Sequence, residues 1–280
     1  MYPVTTEMNS KQILIFLKHL VFIPRCAICD ELLSPIPPRA DGATRGKICF
    51  CKSCIEKWEK AKVEMCPSCY NVSGKCTCTP DFFFKYQPDI PSLCFYTTDS
   101  ENPASKVIIK MKRQNHSQLF EFITEELGAK LDTTLTKMGI DGKDCIFTWI
   151  PRKNKAIRES GFDQGRLLSK GLASYFDAKC LPLFVRIGGK EQKKLDKNKR
   201  KKNADMHIKL NETMRGFSLN SKETELSSLL EGKNIIIVDD VLTSGATLRR
   251  GVELLIPLHP SNTVVACVAK SVKNDKKPKN

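Results

Sequence analysis

Two adjacent carboxylates stand where a run of four apolar residues ends. Asp239 and Asp240 follow Ile235 to Val238, a run that predicts a buried strand. A short loop rich in hydroxyl groups comes next, and Gly245 in this loop lets the backbone approach a ligand closely. A helix is predicted to begin near Ala246. Its buried face would carry Leu248, Val252 and Leu255.

This segment has the chemistry of a site for a ribose 5-phosphate group. Backbone N–H groups and the helix dipole favour a phosphate monoester at a helix N-terminus. The two carboxylates can accept hydrogen bonds from vicinal hydroxyls. In open α/β sheets, ligands bind outside the carboxyl ends of strands, which suits this position. The predicted catalytic acids are Asp239 and Asp240, and the predicted phosphate-binding residues are Thr243, Ser244, Gly245, Ala246 and Thr247.

Two other interpretations of the segment are weaker. A core strand followed by an ordinary capped helix would not need two adjacent acids. An apolar strand followed by an acid also occurs in nucleotide hydrolases, but the chain has no GxxxxGK[ST] loop to hold a polyphosphate.

The cysteines form a second set of chemically suggestive residues, because nine of the 13 fall between Cys26 and Cys78. Short cysteine pairs each supply two corners of a tetrahedral Zn²⁺ site, so eight ligands predict two structural zinc ions. Sequential and crossed pairing both stay open, and Cys49 could replace Cys51 or Cys54. A disulfide framework or redox chemistry is less favoured, since nothing indicates export. The predicted ligands are Cys26, Cys29, Cys51, Cys54, Cys66, Cys69, Cys76 and Cys78.

Composition divides the chain near residue 80, where the cysteine-dense segment gives way to apolar strands that alternate with amphipathic helices. That alternation predicts an α/β fold with a mostly parallel sheet. We expect an amphipathic helix in 1–24, a zinc-ribbon domain in 25–80, an α/β domain in 81–272 and a basic disordered tail in 273–280. The predicted helices are Ser117 to Leu131 and Gln164 to Phe176. The predicted strands are Cys145 to Ile150, Leu183 to Ile187, Asn234 to Val238 and Thr263 to Ala269, and the turn-rich connections are Gln87 to Ser92 and Thr97 to Ser105.

The formal net charge of +15 makes polyanions such as nucleic acid or phosphorylated metabolites plausible partners, although a solvated lysine-rich surface explains it equally well. Lys190 to Asn203 is the strongest charge run, and we expect a mobile loop or a solvated helix face there. Its candidate anion-binding residues are Lys193, Lys194, Lys197, Lys199 and Arg200. The apolar stretch Ile13 to Ile23 is interrupted by Lys18, so we expect no membrane span. Metal-bound cysteines would indicate a cytoplasmic, reducing compartment.

The strand, acid pair and hydroxyl loop resemble the phosphoribosyl pyrophosphate motif of type I phosphoribosyltransferases. Over roughly residues 20 to 270, the chain resembles the ComF/GntX family of bacterial competence-related proteins. Where that family usually has Arg-Gly-Phe-Asn-Gln, this chain has Ser160 and Asp163 in place of the arginine and the asparagine. Besides the cysteine pairs, the resemblance rests on Ile108 to Lys112, Pro151, Arg152, Arg158, Gly161, Phe162, Gln164, Gln192, Leu195, Arg200 and Asn203.

The resemblance implies a type I phosphoribosyltransferase fold preceded by a small double zinc-ribbon domain. Pro151 and Arg152 would face the pyrophosphate, and Lys190 to Asn203 would close over it. The implied ligand is phosphoribosyl pyrophosphate with Mg²⁺, or a nucleotide 5-phosphate, and an active enzyme would transfer the phosphoribosyl group to a nitrogen base. A link to DNA uptake, with competence-machinery proteins as partners, is implied as well. The alternative is a non-catalytic competence or DNA-processing factor that binds single-stranded DNA.

Overall fold

The computed structural model describes residues 25–33, 49–78, 81–97, 99, 101–186, 208–211 and 224–271. The predicted N-terminal helix, the basic run Lys190 to Asn203 with its five candidate residues, and the predicted tail all lie outside these ranges. The strands are β1 (Cys94–Tyr96), β2 (Cys145–Trp149), β3 (Lys179–Cys180), β4 (Phe184–Arg186), β5 (Ile208–Leu210), β6 (Asn234–Leu242) and β7 (Asn262–Ser271). The α-helices are α1 (Lys52–Val63), α2 (Pro103–Arg113), α3 (Ser117–Lys137), α4 (Asn154–Ser160), α5 (Gln164–Tyr175), α6 (Thr224–Leu230) and α7 (Ala246–Leu255).

Five strands form one sheet in the order β1-β7-β6-β2-β3, and every neighbouring pair in it is parallel. The predicted α/β class with a mostly parallel sheet is therefore confirmed. Strands β4 and β5 form a separate antiparallel pair. Because parallel strands run towards the same edge, β2 and β6 point the same way, and β2 ends at Trp149, opposite Val238 of β6.

Alternate residues of the central strands enter two different cores, as the period of two in a strand requires. Ile236 and Val238 face the layer formed by α2, α3 and α5, whereas Ile235 and Ile237 face α7 and the β4–β5 pair. The sheet is thus covered on both faces, which explains why its central strands are almost entirely apolar.

The cysteine-rich segment packs directly on this sheet domain. Phe50 meets Phe122 of α3 edge to face with ring centroids 5.0 Å apart, and Trp58 is fully buried nearby. Buried residues of the segment belong to the same apolar core as α2 and α3. The domain boundary near residue 80 stays a prediction, and a large apolar contact crosses it. No described helix is long and apolar enough to span a membrane.

Three predicted boundaries are wrong. Helix α3 does not end at Leu131 but continues to Lys137. Strand β6 does not end at Val238 but continues through both acids to Leu242, because β7 keeps pairing with it as far as Lys270. The stretch Thr97 to Ser105 is not turn throughout, since α2 begins at Pro103 and the Asn102 side chain caps it by accepting from the Ser105 N–H.

Candidate functional site

The predicted site residues from separate parts of the chain meet at the carboxyl edge of β2 and β6. Pro151 and Arg152 follow β2, and the acid pair forms the outer part of β6. The hydroxyl-rich loop then leads into α7. This edge is where the open ends of parallel strands bind ligands in α/β proteins.

Asp240 is buried, with 6% of its surface exposed, and two side chains bind its carboxylate. Gln164 Nε2, at the start of α5, donates to Asp240 Oδ2 at 2.9 Å. Lys112 Nζ, near the end of α2, lies 3.2 Å from the same oxygen. Since both donors come from helices on one face of the sheet, the carboxylate is fixed by its surroundings before any ligand arrives. The Gln164 Oε1 atom is buried without a partner.

Asp239 is in a different environment, because successive strand residues point to opposite faces of a sheet. Its side chain is partly exposed, and its Oδ1 accepts from the Asp240 backbone N–H at 2.9 Å. Burial of the carboxylate among protein atoms, followed by the nearby charge of Asp240, raises the pKa of Asp239 to about 8. The adjacent acids therefore have distinct electrostatic surroundings.

Arg186 is, with Lys112, one of two cations whose charges act on Asp239. It ends β4, and its Nε donates to the Pro151 carbonyl oxygen at 2.8 Å. Burial lowers the pKa of Arg186, and the charges of Asp239 and Asp163 oppose that shift. The contact brings a cation to the loop after β2 and to the mouth of the sheet.

Asp163 holds the loop after β2 in place. Its carboxylate accepts from the Arg152 backbone N–H at 3.1 Å and from Trp149 Nε1 at 3.3 Å, both at Oδ2. Its Oδ1 accepts from the Gly165 N–H at 3.0 Å, which caps α5. The Arg152 side chain, in turn, donates to the Lys112 carbonyl and to Ser160 Oγ, each at 3.0 Å. The guanidinium of Arg152 thus connects α2 and α4.

The loop from Thr243 to Gly245 ends in a glycine that no other residue could replace without strain. Gly245 has φ +74° and is the N-cap of α7, and a Cβ on it would lie 2.8 Å from Phe83 Cε2. Thr243 and Ser244 are exposed, and Thr247 is partly exposed. Ser244 Oγ accepts from the Ala246 N–H at 3.4 Å. The hydroxyls and the first N–H groups of α7 therefore meet at one accessible point.

The eight paired cysteines form two separate groups of four, in sequential and not crossed order. One group is Cys26, Cys29, Cys51 and Cys54, and the other is Cys66, Cys69, Cys76 and Cys78, with the four sulfurs of each within 4.8 Å of one another. None of the 13 cysteines is in a disulfide. Cys49 lies outside both groups and is fully buried, and this burial raises its pKa to about 12.

The sulfur spacings fit a zinc ion in each group. A tetrahedron with Zn–S bonds of 2.3 Å has edges of about 3.8 Å. The distance from Cys29 to Cys51 is 3.7 Å, that from Cys66 to Cys78 is 3.7 Å, and that from Cys69 to Cys76 is 3.6 Å. Donors of this number, type and spacing match a structural zinc site.

The first pair of each group has the same local fold. Arg25 pairs with Leu32, and Met65 pairs with Val72, each in an isolated antiparallel β-bridge. Each bridge closes a tight turn that contains the first two cysteines of its group. The residue after the second cysteine has a positive φ in both turns, +60° at Asp30 and +56° at Tyr70. The second pairs differ, because Cys51 and Cys54 lie at the start of α1 whereas Cys76 and Cys78 lie in a turn.

Comparison with known families finds a similarity in the C-terminal part of the sheet domain. A family model described as the phosphoribosyl transferase domain matches residues 165–280. This match contains the acid pair, the hydroxyl-rich loop and α7. The C-terminal part of the chain is therefore similar to a phosphoribosyl transferase domain.

Individual relatives show narrower similarity. Over 55 residues the chain is 40% identical to the bifunctional protein PyrR of Fusobacterium nucleatum, which is 19% of this chain and 31% of that protein. The chain thus spans about a third of that curated relative. Two solved hypoxanthine phosphoribosyltransferases are similar, each with a TM-score of 0.31. The enzyme of Staphylococcus aureus is 15% identical, and the match covers 57% of this chain and 68% of that chain. The enzyme of Trypanosoma cruzi, in complex with the product IMP, is 10% identical, and the match covers 57% of this chain and 71% of that chain.

Proposed function

We propose that this chain binds phosphoribosyl pyrophosphate, or the 5-phosphate of a nucleotide, at the carboxyl edge of β2 and β6. The observation that carries the proposal is the acid pair of β6 next to the glycine-capped start of α7, inside the segment that matches a phosphoribosyl transferase domain. A diol acceptor beside a phosphate donor is the arrangement that a ribose 5-phosphate group requires.

The loop from Thr243 to Thr247 would hold the 5-phosphate. The phosphate oxygens would accept from the first N–H groups of α7 and from the exposed hydroxyls, and the positive end of the helix would favour their charge. Asp239 would accept from a ribose hydroxyl, because its carboxylate is partly exposed and no other side chain donates a hydrogen bond to it among the described contacts. Asp240 would shape the floor of the site through Gln164 and Lys112.

The pyrophosphate would lie between the loop after β2 and the end of β4. Arg186 and the Pro151–Arg152 backbone meet there, and a cation close to a departing pyrophosphate stabilises its charge. Magnesium prefers oxygen ligands and would come with the pyrophosphate, and Asp239 is a suitable carboxylate to hold it. The basic residues of 190–203 are proposed to add further positive charge.

Transfer to a nitrogen base is the reaction that such a complex supports. The bond from C1 to the pyrophosphate oxygen would break, and pyrophosphate would leave with the electron pair. A bond from C1 to the base nitrogen would form, and that nitrogen would lose its proton to water. Catalysis would come from positioning and from charge stabilisation. The acceptor base is left open.

A role in DNA uptake, with single-stranded DNA and competence proteins as partners, is a second proposal. It is supported by the net charge of +15 and by the resemblance to the ComF/GntX family. Thirteen cysteines outside disulfides support a cytoplasmic location. Binding of single-stranded DNA that weakens steeply with added salt would support this role, because each phosphate contact releases a counterion. Absence of binding at low salt would leave the charge as a solvated surface.

The proposed ligand is tested by calorimetry with Mg²⁺ and phosphoribosyl pyrophosphate, and then with ribose 5-phosphate. We expect the wild type to bind both, and Thr247→Ala to weaken both by roughly tenfold, the scale of one hydrogen bond to a charged group. Thr133→Ala is the matched control, because Thr133 is an exposed helical threonine of α3 that bonds only its own helix. A wild type that binds neither compound refutes the proposal.

A further inference from the structure

Lys270 is a lysine in an unusual place. It lies near the end of β7, and 2% of its surface is exposed. Among the described residues, it is the only buried lysine. Removing an ammonium group from water is unfavourable unless opposite charge and hydrogen bonds compensate for it. The residue therefore needs a partner.

No carboxylate within the described ranges forms an ion pair with Lys270. The acid whose charge reaches it is Asp89, and Asp89 is already bound to Lys137 at 2.6 Å. The Lys270 Nζ atom instead donates to the Cys76 carbonyl oxygen, at 3.4 Å. One long bond to a neutral oxygen does not balance a buried positive charge.

Cys267 also lies close enough to act on Lys270, but burial raises the pKa of the Cys267 thiol to about 12, so this thiol is uncharged near neutral pH. The second cysteine group is the remaining source of negative charge at this edge of the sheet. Phe95 of β1 lies beside Lys270 in the parallel register and packs against Cys66 and Cys76. The lysine and the sulfurs therefore occupy the same side of the β1–β7 edge. Four thiolates around one Zn²⁺ carry a net charge of −2, and the low dielectric of a buried edge strengthens their attraction to an ammonium.

We infer that Lys270 is the counter-charge of the metal site formed by Cys66, Cys69, Cys76 and Cys78. The ammonium offsets the charge of the metal-bound thiolates, and the thiolates offset the cost of burying the ammonium. Each half therefore stabilises the other. The inference does not depend on the proposed ligand, since it concerns the cysteine site alone.

The first cysteine group offers an internal comparison. Lys106 is a lysine that interacts electrostatically with Cys54 and Cys29 of that group. Its side chain is 30% exposed and forms an ion pair with Glu101 at 2.9 Å. Water already solvates that lysine, so its removal has little effect on the first site. Lys106→Met is therefore the matched control for Lys270→Met.

The experiment follows zinc release from the full chain, purified with zinc, after addition of EDTA. Iodoacetamide labels each cysteine as it becomes free, and mass spectrometry assigns the label to one group or the other. We expect Lys270→Met to release zinc from the second group at least roughly tenfold faster than the wild type, the usual effect of removing an outer partner of a metal site. The first group should release at the wild-type rate, as should both groups in Lys106→Met.

Lys270→Gln separates charge from hydrogen bonding, because glutamine can still donate to the Cys76 oxygen but carries no charge. We expect it to release zinc as fast as Lys270→Met, and it decides the question alone if the methionine variant does not fold. A glutamine variant with wild-type release overturns the inference. So does a wild-type chain that carries zinc at the first group only.

Discussion

Gln164 Nε2 lies 2.9 Å from Asp240 Oδ2, and this contact gives the two adjacent acids different tasks. Asp240 is buried and also lies 3.2 Å from the Lys112 ammonium, so it connects α2, α5 and β6. Asp239 is the partly exposed residue of the pair, and no other side chain donates a hydrogen bond to it among the described contacts. Single substitutions of the pair should therefore have opposite signatures.

Asp240→Asn should lower the free energy of unfolding by about 1–2 kcal/mol, the scale of a hydrogen bond and ion pair at a partly buried charge. Asp239→Asn should leave the fold intact at neutral pH. Above about pH 8, where the wild-type carboxyl is ionised, it should weaken binding of phosphoribosyl pyrophosphate by roughly tenfold or more. Urea unfolding and calorimetry measure the two effects. Equal losses of stability in the two variants would contradict the division of tasks.

The pH dependence of stability follows from the pKa of Asp239, which rises from 3.8 to about 8 on folding. Between these values the native state holds a proton that the unfolded state has released, so this residue makes stability fall as pH rises. Asp239→Asn lacks the effect. The difference in melting temperature, variant minus wild type, should therefore increase from pH 4 to pH 8 and stay constant above pH 8. Thermal unfolding of both proteins at several pH values measures this difference. A difference that does not change with pH would mean that the carboxyl is ionised throughout.

Gly245→Ala should destabilise the chain and abolish phosphate binding. The added methyl meets Phe83 Cε2 at 2.8 Å, and φ is +74°. Gly232→Ala is the matched control, because Gly232 has φ +67° with nothing within 4 Å of the added Cβ. In both variants the free energy of unfolding should fall by about 1 kcal/mol, because alanine is strained in the left-handed backbone conformation. Gly245→Ala should lose about 1–3 kcal/mol more from overpacking. Equal unfolding free energies for the two variants would show that Phe83 moves aside at no cost.

Asp163→Asn tests whether the loop after β2 needs a carboxylate at this position. The carboxylate accepts three N–H groups on two oxygens, and an amide has one oxygen. We expect the free energy of unfolding to fall by about 1 kcal/mol. The fluorescence of Trp149 should also change, because its Nε1 is one of the donors. The Trp58→Phe background isolates that signal. Unchanged stability and fluorescence would mean that the amide of the variant satisfies the same donors.

Zinc analysis should find about two ions per chain, one for each cysteine group. Cys69→Ser should remove one ion and Cys29→Ser the other, since each deletes a ligand on the more accessible side of its group. Metal analysis by mass spectrometry measures the number directly. Protein that contains no zinc when purified without chelator would refute the metal assignment.

Elements with a sustained apolar period could be predicted from the sequence, and elements whose ends depend on tertiary pairing could not. Helix α5 and strand β2 lie within a residue of their predicted bounds. Strand β6 is longer than predicted, because acids have low strand propensity but β7 continues to pair with them. Helix α1 is not predicted from the sequence, because its many charged residues obscure the apolar pattern. Its buried face consists of Cys54, Trp58 and Ala61.

The acids, the hydroxyl loop and the cysteine ligands could be predicted because each set is local in the sequence. The residues that complete the site could not, because they come from distant segments. Gln164 and Asp240 are 76 positions apart. Arg186 gave only a weak signal, as a cation within an otherwise apolar strand. The sequence left the order of the cysteine pairs open, since spacing alone does not say which pairs meet.

The contact of Phe83 with the Gly245 turn determines where this chain can be divided into fragments. Phe83 belongs to the helical turn Asp81–Lys85 and is 1% exposed, and Gln87 bonds both the N–H and the carbonyl of Val265. Residues 81–87 thus complete the α/β half even though they adjoin the cysteine segment. A shortened gene that starts at residue 88 would leave a hole beneath the turn before α7, whereas one that starts between Cys78 and Asp81 would keep that turn supported.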